Sequence, residues 1–378
     1  MKIAKRYDGI EISLIRQINS LAKADTINLG IGQLPDPLAE SIKNAGISAF
    51  QSGNARYTSN IGDENLRKSV VKEFNEENAL NYNENNVVIT NGTQGAIWNI
   101  FSAYINDGDK VLLPNICFSA YETVVKIHGG KVLYYKLDDN FQIDTADFEK
   151  QLQDNPDMKF ALINSPSNPC GSVFGEEKIR KICEIANKHE CFIISDEVYN
   201  KLYFGEKPPL SPAKFAKNCI VVNGISKRCA ATGLRVGWAI AKEEILSPMV
   251  VANQYTSTCA NNVSQVAAIQ AFSSETDNFC EDVRKKLEIN ANILYEGLSQ
   301  IPEISVVKPQ GAFYCMPNIS KFGTSKEVTL ALMEKCNVLT IPGIAFGTAG
   351  DKYIRISFAV ERDLLEKAVE KMRAFFNN

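Results

Sequence analysis

The sequence predicts an α/β protein, with a large domain built on a seven-stranded, mostly parallel β-sheet between helices and a smaller α+β domain. Two observations lead to this fold class. From residue 86 onward, seven short apolar runs alternate with helix-length segments, which is the pattern of a parallel sheet covered on both faces. After about residue 275 this alternation stops, and a long charged amphipathic segment leads into short strand-like runs.

The seven apolar runs have the length of buried strands. They are NVVIT (86–90), KVLLP (110–114), KVLYYKL (131–137), KFALIN (159–164), CFIIS (191–195), CIVVN (219–223) and RVGWAIA (235–241). The spacers between them include EEKIRKICEIANKHE (176–190), which carries apolar residues at helical spacing. Ligands of such sheets collect beyond the strand ends, usually the carboxyl ends, so functional residues are expected just after these runs.

The change of pattern near residue 275 predicts two domains. Residues 46–275 are expected to form the large domain. Residues 276–378 hold the amphipathic segment 278–301, four short strand-like runs (ISVVK, AFYCM, VLTIP and YIRISF) and a closing helix, ERDLLEKAVEKMRAFF. Residues 1–45 are too short to fold alone, so they are expected to join 276–378 in the small domain.

Composition narrows the class of protein. The chain has 378 residues, with 41 Lys and Arg against 44 Asp and Glu, and its net charge of −3 is spread without long runs of one sign. This distribution speaks against nucleic acid or an anionic membrane as a partner. The ten cysteines are scattered without a C-x-x-C pair and there are only two histidines, so neither a metal nor a disulfide framework is expected. With no signal-peptide pattern at the N-terminus, a reducing cytoplasm is the expected location.

Polar motifs follow two of the predicted strands. ITNGTQGAI (89–97) places Gly92 and Thr93 between a strand and a helix, where free backbone N–H groups and a hydroxyl can hold an anion. NSPSNPCGSVF (164–174) carries Asn168 in a turn after the fourth strand. Both motifs are also ordinary turn sequences, so neither identifies a site by itself.

Charged residues lie close to three more strands. Asp196, in ISDEVYNKLYF, ends a strongly apolar strand, where a carboxylate is costly to bury without a partner, and Tyr199 lies three residues further on. Lys227 lies between the last two apolar runs, and Arg235 begins the last one, in VVNGISKRCAATGLRVG. Taken alone, Lys227 is typical of a solvated surface lysine. Neither GxGxxG nor GxxxxGK[ST] occurs, so a nucleotide site has no support.

In order and spacing these motifs resemble the class I/II aminotransferases, which are pyridoxal-phosphate-dependent enzymes of the aspartate aminotransferase fold (fold type I). The resemblance begins at INLGIGQLPDP (27–37), which is similar to the family's N-terminal glycine segment, and ends at IPGIAFG…YIRISFAV (341–360), which is similar to its C-terminal signature. The resemblance implies that pyridoxal 5′-phosphate is the cofactor. It also implies a reaction that moves an amino group between an L-α-amino acid and a 2-oxo acid.

The resemblance assigns three roles around the cofactor ring. Lys227 would form a Schiff base with the aldehyde and, once freed, move a proton between the substrate Cα and cofactor C4′. Asp196 would face the pyridine nitrogen and keep it protonated, since an adjacent carboxylate favours the cation. Asn168 and Tyr199 would hydrogen-bond the ring's phenolic oxygen, and Asn168 would also contact substrate.

The resemblance also assigns the phosphate, the ring face and the substrate carboxylate. The phosphate would be held by Gly92, Thr93, Gln94, Ser226 and Arg235, and Phe118 would stack on the ring. Arg355, in YIRISF, would bind the substrate α-carboxylate, because its charge within an apolar strand needs an anion, and Gly32 would lend a backbone N–H. Tyr57 would reach the phosphate of a neighbouring subunit, which implies a homodimer with shared active sites.

Two residues depart from the family pattern, one at the expected phosphate site and one that bears on substrate specificity. Gly224 stands where many relatives carry a phosphate-contacting serine. Gln94 stands where some aspartate-using relatives place a lysine, and its neutral amide argues against an aspartate-specific enzyme unless another residue serves.

The reaction itself stays open among three hypotheses at this point. The first is amino transfer. The second is a lyase, cyclase or oxidase reaction on the same cofactor, which would use the same lysine and aspartate. The third is a non-catalytic regulatory homologue, which would be expected to lose Lys227.

Overall fold

Seven strands form the central sheet of this chain, whose computed structural model describes residues 2–53 and 55–377. The strands of the protein are β1 (Ile27–Asn28), β2 (Val87–Asn91), β3 (Lys110–Pro114), β4 (Lys131–Tyr135), β5 (Met158–Asn164), β6 (Phe192–Asp196), β7 (Cys219–Gly224), β8 (Val236–Ile240), β9 (Tyr314–Cys315), β10 (Val338–Leu339), β11 (Ile341–Pro342) and β12 (Ile354–Ser357). The central sheet has the order β2-β8-β7-β6-β5-β3-β4. Each of the seven predicted strands is therefore present, and the predicted fold class is confirmed.

The helices fill the segments between these strands. They are α1 (Leu14–Asn19), α2 (Glu40–Gln51), α3 (Glu64–Asn78), α4 (Gly92–Tyr104), α5 (Ala120–Ile127), α6 (Thr145–Asp154), α7 (Glu176–Lys188), α8 (Ile225–Arg228), α9 (Glu243–Ser257), α10 (Asn262–Ala268), α11 (Ser274–Ser299), α12 (Ser325–Cys336) and α13 (Arg362–Phe376). Helix α11 begins four residues before the predicted segment, because the Ser273 side chain caps it by accepting a hydrogen bond from the Thr276 N–H. In the described ranges, no helix combines the length and the apolar content that a bilayer crossing requires.

One strand direction dominates the central sheet. The β3–β4, β3–β5, β5–β6 and β6–β7 pairs are parallel, and β8 runs antiparallel to both of its neighbours, β7 and β2. The carboxyl ends of the other six strands therefore lie at the same edge of the sheet as the amino end of β8. This topology brings together the loops that carry the polar motifs.

Hydrophobic clusters cover both faces of the sheet. On β5, Ala161 and Ile163 pack into a cluster with residues of α3, α6 and α7. The alternate residues Phe160 and Leu162 pack into a second cluster with residues of α4, α5 and α9. Because successive side chains of a strand point to opposite faces, a near-continuous apolar sequence marks a strand that is buried on both sides. The central sheet is thus a rigid base for the loops at its edge.

A second sheet lies in the carboxyl-terminal part of the chain. Its order is β11-β12-β9, and β1 pairs in parallel with β10 beside it. Ile27 and Leu29 of the N-terminal segment join the apolar cluster formed by α11, α13, β9 and β12. In the described ranges the predicted strand ISVVK forms a single bridge, between Ser305 and Asn318, and no longer ladder.

We propose that this second sheet and its helices form the small domain. The separate apolar cluster around α11 and α13 supports this division. Helix α2 spans the predicted boundary at residue 45, yet its Ile42 packs into the cluster of the large sheet. We therefore place the N-terminal boundary of the small domain before α2.

Strand β8 lies directly against the start of α4. A Cβ atom added to Gly237 would be 2.5 Å from the carbonyl carbon of Gly92 and 2.5 Å from the backbone nitrogen of Thr93. Both contacts are with backbone, which cannot rotate away as a side chain can. The absence of a side chain at Gly237 therefore sets how closely β8 approaches the amino end of α4.

We expect Gly237→Ala to lower the free energy of unfolding by about 2 kcal/mol, because the added methyl group forces β8 away from α4. Gly175→Ala is the matched control, since a Cβ there would meet nothing within 4 Å. It should cost less than about 1 kcal/mol. Urea unfolding of both variants measures the difference, and equal unfolding midpoints would contradict this account of β8.

Candidate active site

A cleft of about 1120 Å³ opens at the loop-bearing edge of the central sheet. It lies between that edge, the small sheet and the N-terminal segment. The predicted site residues that line it are Gly32, Thr93, Gln94, Phe118, Asn168, Asp196, Tyr199, Ser226, Lys227, Arg235 and Arg355. Gly92 lies immediately behind this wall, and Tyr57 lies outside the cleft. One cavity therefore collects residues that are spread over more than 300 positions of sequence.

Lys227 enters the cleft from α8, the short helix that follows β7. Its neighbour Arg228 fixes this helix by donating to the Glu73 carboxylate of α3 at 2.6 and 3.0 Å and to the Ala271 carbonyl at 3.0 Å. The Lys227 Nζ donates to the Gly32 carbonyl oxygen at 2.8 Å. Burial lowers the pKa of Lys227 to about 8, assisted by the positive charges of Arg235 and Arg355. The amine is thus available in neutral form near physiological pH.

Asp196, the last residue of β6, holds a buried carboxylate at the floor of the cleft. Its Oδ2 accepts a hydrogen bond from the Tyr121 hydroxyl at 2.7 Å, and its Oδ1 accepts one from the Val198 N–H at 3.1 Å. Burial raises the pKa of Asp196 above its ordinary value, against the opposing effect of these hydrogen bonds. Within residues 2–53 and 55–377, no lysine, arginine or histidine forms a salt bridge with it. The carboxylate is oriented by two neutral donors, and the positive charge of Lys227 acts on it without forming a salt bridge in this part of the chain.

Arg355, on β12, holds a buried guanidinium on the opposite wall. It donates to the Gly30 carbonyl at 2.6 Å and to the Asn168 Oδ1 at 3.1 Å. The group lies between the rings of Tyr314 and Phe346, whose centroids are 4.5 and 4.8 Å from its Cζ. Burial lowers its pKa, and its Nε, though buried, has no hydrogen-bond partner in the part of the chain that the structure describes.

This environment bears on the choice between a substrate site and a structural salt bridge at Arg355. In the described ranges no carboxylate forms a salt bridge with the guanidinium. A buried guanidinium that faces a cleft without an anion is a strong binding site for one.

The first turn of α4 and Arg235 form the other end of the cleft. Arg235 has left-handed backbone geometry, with φ of 55°, and its Nη1 donates to the Thr232 carbonyl at 2.9 Å. A Cβ at Gly92 would collide with its guanidinium, so glycine is required for Arg235 to lie over the helix start. The free N–H groups of that first turn and the guanidinium together favour a phosphate.

The close packing of β8 against β7 explains why residue 224 is a glycine. Its Cβ would be 2.8 Å from the Val236 carbonyl oxygen and 3.0 Å from the Gly237 Cα. A serine side chain therefore does not fit at this position while β8 is this close to β7. The roles of the α4 turn, Ser226 and Arg235 toward a phosphate stay predictions.

Three further residues differ in detail from their predicted contacts. The Tyr199 hydroxyl lies 3.1 Å from that of Tyr314, and the Asn168 Oδ1 accepts from Arg355. At Gly32 it is the carbonyl that faces the site, toward Lys227. The roles of Asn168 and Tyr199 toward a ring oxygen, and of the Gly32 N–H toward a carboxylate, therefore stay predictions.

Phe118 and Tyr57 have contrasting positions. Phe118 lines the cleft, and its ring meets that of Tyr121 edge-on at 5.6 Å between centroids. Tyr57 is 84% exposed and does not line the cleft of its own chain. Its predicted reach to a neighbouring subunit stays a prediction.

Sequence reasoning missed two tyrosines of the site. Tyr121 binds Asp196, and Tyr314 contacts both Tyr199 and Arg355. Tyr121 could have been found, since it follows Phe118 by three residues at the start of α5. Tyr314 could not, because a tyrosine within the apolar run AFYCM is indistinguishable from a core residue.

Comparison with known proteins identifies the family. The sequence profile of aminotransferases of class I and II matches residues 24–372. The chain belongs to this aminotransferase family. A probable aspartate aminotransferase of Methanocaldococcus jannaschii is 34% identical over 380 residues, which cover 99% of this chain and 100% of that protein.

Solved structures agree with the family. The aspartate aminotransferase of Thermus thermophilus with maleate superposes with a TM-score of 0.94 at 27% identity, and 99% of each chain is covered. The alanine aminotransferase of Pyrococcus furiosus gives a TM-score of 0.93 at 28% identity over 100% of both chains. The predicted family, the fold type and amino transfer as the reaction are confirmed, and the protein is a pyridoxal-phosphate-dependent enzyme.

The cleft fits this cofactor on structural grounds. Pyridoxal phosphate has an aldehyde, a ring nitrogen that can carry a proton and a phosphate. The aminotransferase offers an amine of lowered pKa at Lys227, a buried carboxylate without a cation at Asp196, and a helix start with a guanidinium at Arg235. Each functional group of the cofactor therefore has a matching group in the cleft, and none of these groups forms a salt bridge within the described ranges.

The pKa of Lys227 can be tested in the cofactor-free protein. We expect its reductive methylation by formaldehyde to rise with pH through a midpoint near 8, because only the neutral amine reacts. Arg235→Gln removes a nearby positive charge, so it should raise the midpoint and slow the reaction at pH 7.5. Peptide mass mapping follows each lysine separately.

Lys68 serves as the internal control in the same experiment. Its hydrogen bond with Glu64 raises its pKa, so it should react more slowly than Lys227 at pH 8. A Lys227 midpoint at the ordinary lysine value of about 10.5 would contradict the effect of burial.

Proposed function

We propose that this aminotransferase moves an amino group between an L-α-amino acid and a 2-oxo acid at this cleft, with Lys227 as the residue that holds the cofactor and moves the proton. One observation carries the proposal. The Lys227 amine with its lowered pKa, the Asp196 carboxylate and the Arg355 guanidinium line one cavity, and among the residues that the structure describes none of the three forms a salt bridge. These three unpaired groups match the cofactor and the α-carboxylate of an amino acid.

Arg355 binds and orients the substrate in this proposal. Its guanidinium is fixed by Gly30, Asn168 and two aromatic rings, so it loses little freedom when an α-carboxylate arrives. A bidentate contact with that carboxylate sets the direction of the substrate Cα. Both substrates of amino transfer carry this carboxylate, so one arginine serves both halves of the reaction.

In this proposal Lys227 and Asp196 each control a different proton. Pyridoxal phosphate, when bound, supplies an aldehyde that condenses with amines and a ring that withdraws electrons from the substrate Cα. Lys227 would carry the cofactor and then act as the general base and acid at the substrate Cα. Asp196 would hold the proton on the ring nitrogen, and Tyr121 would keep the carboxylate oriented by its 2.7 Å hydrogen bond.

The phosphate end anchors the cofactor. The backbone N–H groups at Gly92, Thr93 and Gln94, the Ser226 hydroxyl and the Arg235 guanidinium would bind the phosphate oxygens. Phe118 would cover a face of the ring. These contacts fix the ring relative to Lys227, so the amine stays within reach of the substrate Cα.

We also propose that the working unit is a homodimer with shared active sites and that the protein works in the cytoplasm. The exposed rings of Tyr57 (84%), Tyr255 (83%) and Phe50 (77%) support a subunit interface, because large aromatic side chains are rarely left in water. Ten cysteines without a disulfide support a reducing compartment.

We expect Lys227→Ala to abolish amino transfer while the protein still folds, because no other amine lies at this position. In the wild type, borohydride reduction after loading with pyridoxal phosphate should leave the cofactor attached at residue 227, as read by peptide mass mapping. Lys326→Ala, at an exposed position of α12, is the control and should keep full activity. Turnover by Lys227→Ala, or a label on another lysine, would overturn the role of Lys227.

We expect Asp196→Asn to bind the cofactor but to lower kcat by about 100-fold or more, because the amide cannot stabilise a proton on the ring nitrogen. Asparagine keeps the shape of the side chain, its oxygen can accept from the Val198 N–H and its Nδ2 can donate to the Tyr121 hydroxyl oxygen, so stability should change little. Asp139→Asn is the control, since its side chain is 100% exposed. Steady-state kinetics give kcat for each variant. A wild-type kcat in Asp196→Asn would contradict the role of Asp196 at the ring nitrogen.

A further inference from the structure

Tyr314 is a buried residue of the cleft, and the proposed function gives its hydroxyl no role. The side chain is 1% exposed, and the hydroxyl lies 3.1 Å from the Tyr199 hydroxyl. The ring lies on the Arg355 guanidinium, with 4.5 Å between the ring centroid and the Cζ. One side chain therefore contacts both the tyrosine proposed for the ring oxygen of the cofactor and the arginine proposed for the substrate carboxylate.

The small sheet and two glycines fix the position of Tyr314. On β9 it pairs with Ser357 of β12, so the Tyr314 and Arg355 side chains lie diagonally on one face of this sheet. A Cβ atom on Gly32 would be 2.2 Å from the Tyr314 hydroxyl oxygen, and one on Gly171 would be 2.2 Å from its carbonyl oxygen. The hydroxyl therefore occupies space that any side chain at residue 32 would fill.

The Tyr199 and Tyr314 hydroxyls form a hydrogen bond with each other. Within residues 2–53 and 55–377, neither hydroxyl makes a further hydrogen bond to the chain. One of the two donates and the other accepts, and the acceptor keeps its own proton free for the cleft, which both residues line. The direction of this hydrogen bond thus decides which tyrosine presents a donor to a ligand.

The charges around the pair favour Tyr314 as the donor. Burial raises the pKa of both tyrosines, so both hydroxyls keep their protons at neutral pH. At Tyr314 the positive charge of Arg355 is the main opposing effect, whereas at Tyr199 the negative charge of Asp196 adds to the rise in pKa. Tyr314 is therefore the more acidic of the two and the stronger donor. Tyr199 then accepts from Tyr314 and keeps its own proton for the cleft.

We propose that Tyr314 is a positioning residue whose hydroxyl donates to Tyr199 and so directs the Tyr199 proton toward the ring oxygen of the cofactor. This inference rests on the proposed function, since it takes Tyr199 as the donor to that oxygen. A hydroxyl that already accepts a hydrogen bond is a stronger donor, so Tyr314 also strengthens the contact of Tyr199 with the ring oxygen. Tyr314 acts through Tyr199 and takes no part in proton transfer.

The pH dependence of the visible absorption of the cofactor-loaded protein tests the proposal. A donor to the ring oxygen favours the form in which that oxygen carries a full negative charge, which is the form without a proton on the nitrogen that joins Lys227 to the cofactor. Tyr314→Phe keeps the ring and loses only the hydroxyl, so it should raise the midpoint by about 0.5 to 1 pH unit, as expected for one weakened hydrogen bond.

Tyr135→Phe is the matched control. It also removes a buried hydroxyl, one that donates to the Leu162 carbonyl at 3.2 Å outside the cleft. Its absorption midpoint should equal that of the wild type, because no contact of this hydroxyl reaches the cofactor site.

A double-mutant cycle shows whether Tyr314 acts through Tyr199. Tyr199→Phe should raise the midpoint by itself, and Tyr314→Phe should add little in that background, because the Tyr314 hydroxyl then has no partner to orient. A general loss of packing would instead give additive shifts. Equal midpoints in the wild type and Tyr314→Phe, or additive shifts in the double variant, would overturn the role of Tyr314 alone.

The remaining outcomes concern the proposed function. Absence of amino transfer, with the expected midpoint shifts present, would overturn the proposed reaction and support the role of Tyr314. An unchanged midpoint in Tyr199→Phe would overturn the contact of Tyr199 with the ring oxygen and, with it, the role of Tyr314. Failure of the wild type to bind pyridoxal phosphate would overturn both proposals.

Discussion

Positive charge without carboxylate partners is the constraint on which this active site depends. Lys227, Arg235 and Arg355 share one cleft with a single buried carboxylate, Asp196, and none of the four forms a salt bridge within the described ranges. An unpaired buried charge costs several kcal/mol. That cost applies to Asp196 and Arg355, whose side chains are buried, and not to Arg235, which is exposed. In the proposed function, the free energy that these two groups withhold from folding is available for binding the cofactor and a substrate carboxylate, and burial keeps the Lys227 amine partly neutral.

The rest of the fold holds these charges apart. The central sheet is buried on both faces, and its six parallel strands bring Thr93, Asp196 and Lys227 to one edge. The small sheet brings Arg355 to the facing wall. Close backbone approaches at Gly224 and Gly237, together with the position of the Arg235 guanidinium over Gly92, hold β8 and Arg235 close to the start of α4. The geometry thus follows from packing at places far from the chemistry.

Much of this arrangement could be predicted from the sequence. The seven strands could be predicted because each is a continuous apolar run. Asp196 and Lys227 could be predicted because polar residues beside such runs lie at the sheet edge. Contacts between residues far apart in the sequence could not be predicted. Nothing in the local sequence indicates that Arg355 meets Gly30, 325 positions away, or that Tyr314 faces the cleft. The reason for Gly224 likewise appears only once β7 and β8 are paired.

The visible absorption spectrum of the purified protein, loaded with pyridoxal phosphate and then given amino acids, tests the central claim most directly. The account predicts a yellow absorption band from the cofactor attached to the Lys227 amine. The band should bleach when a suitable amino acid is added and return when a 2-oxo acid is added. A protein that stays colourless in excess pyridoxal phosphate would contradict it.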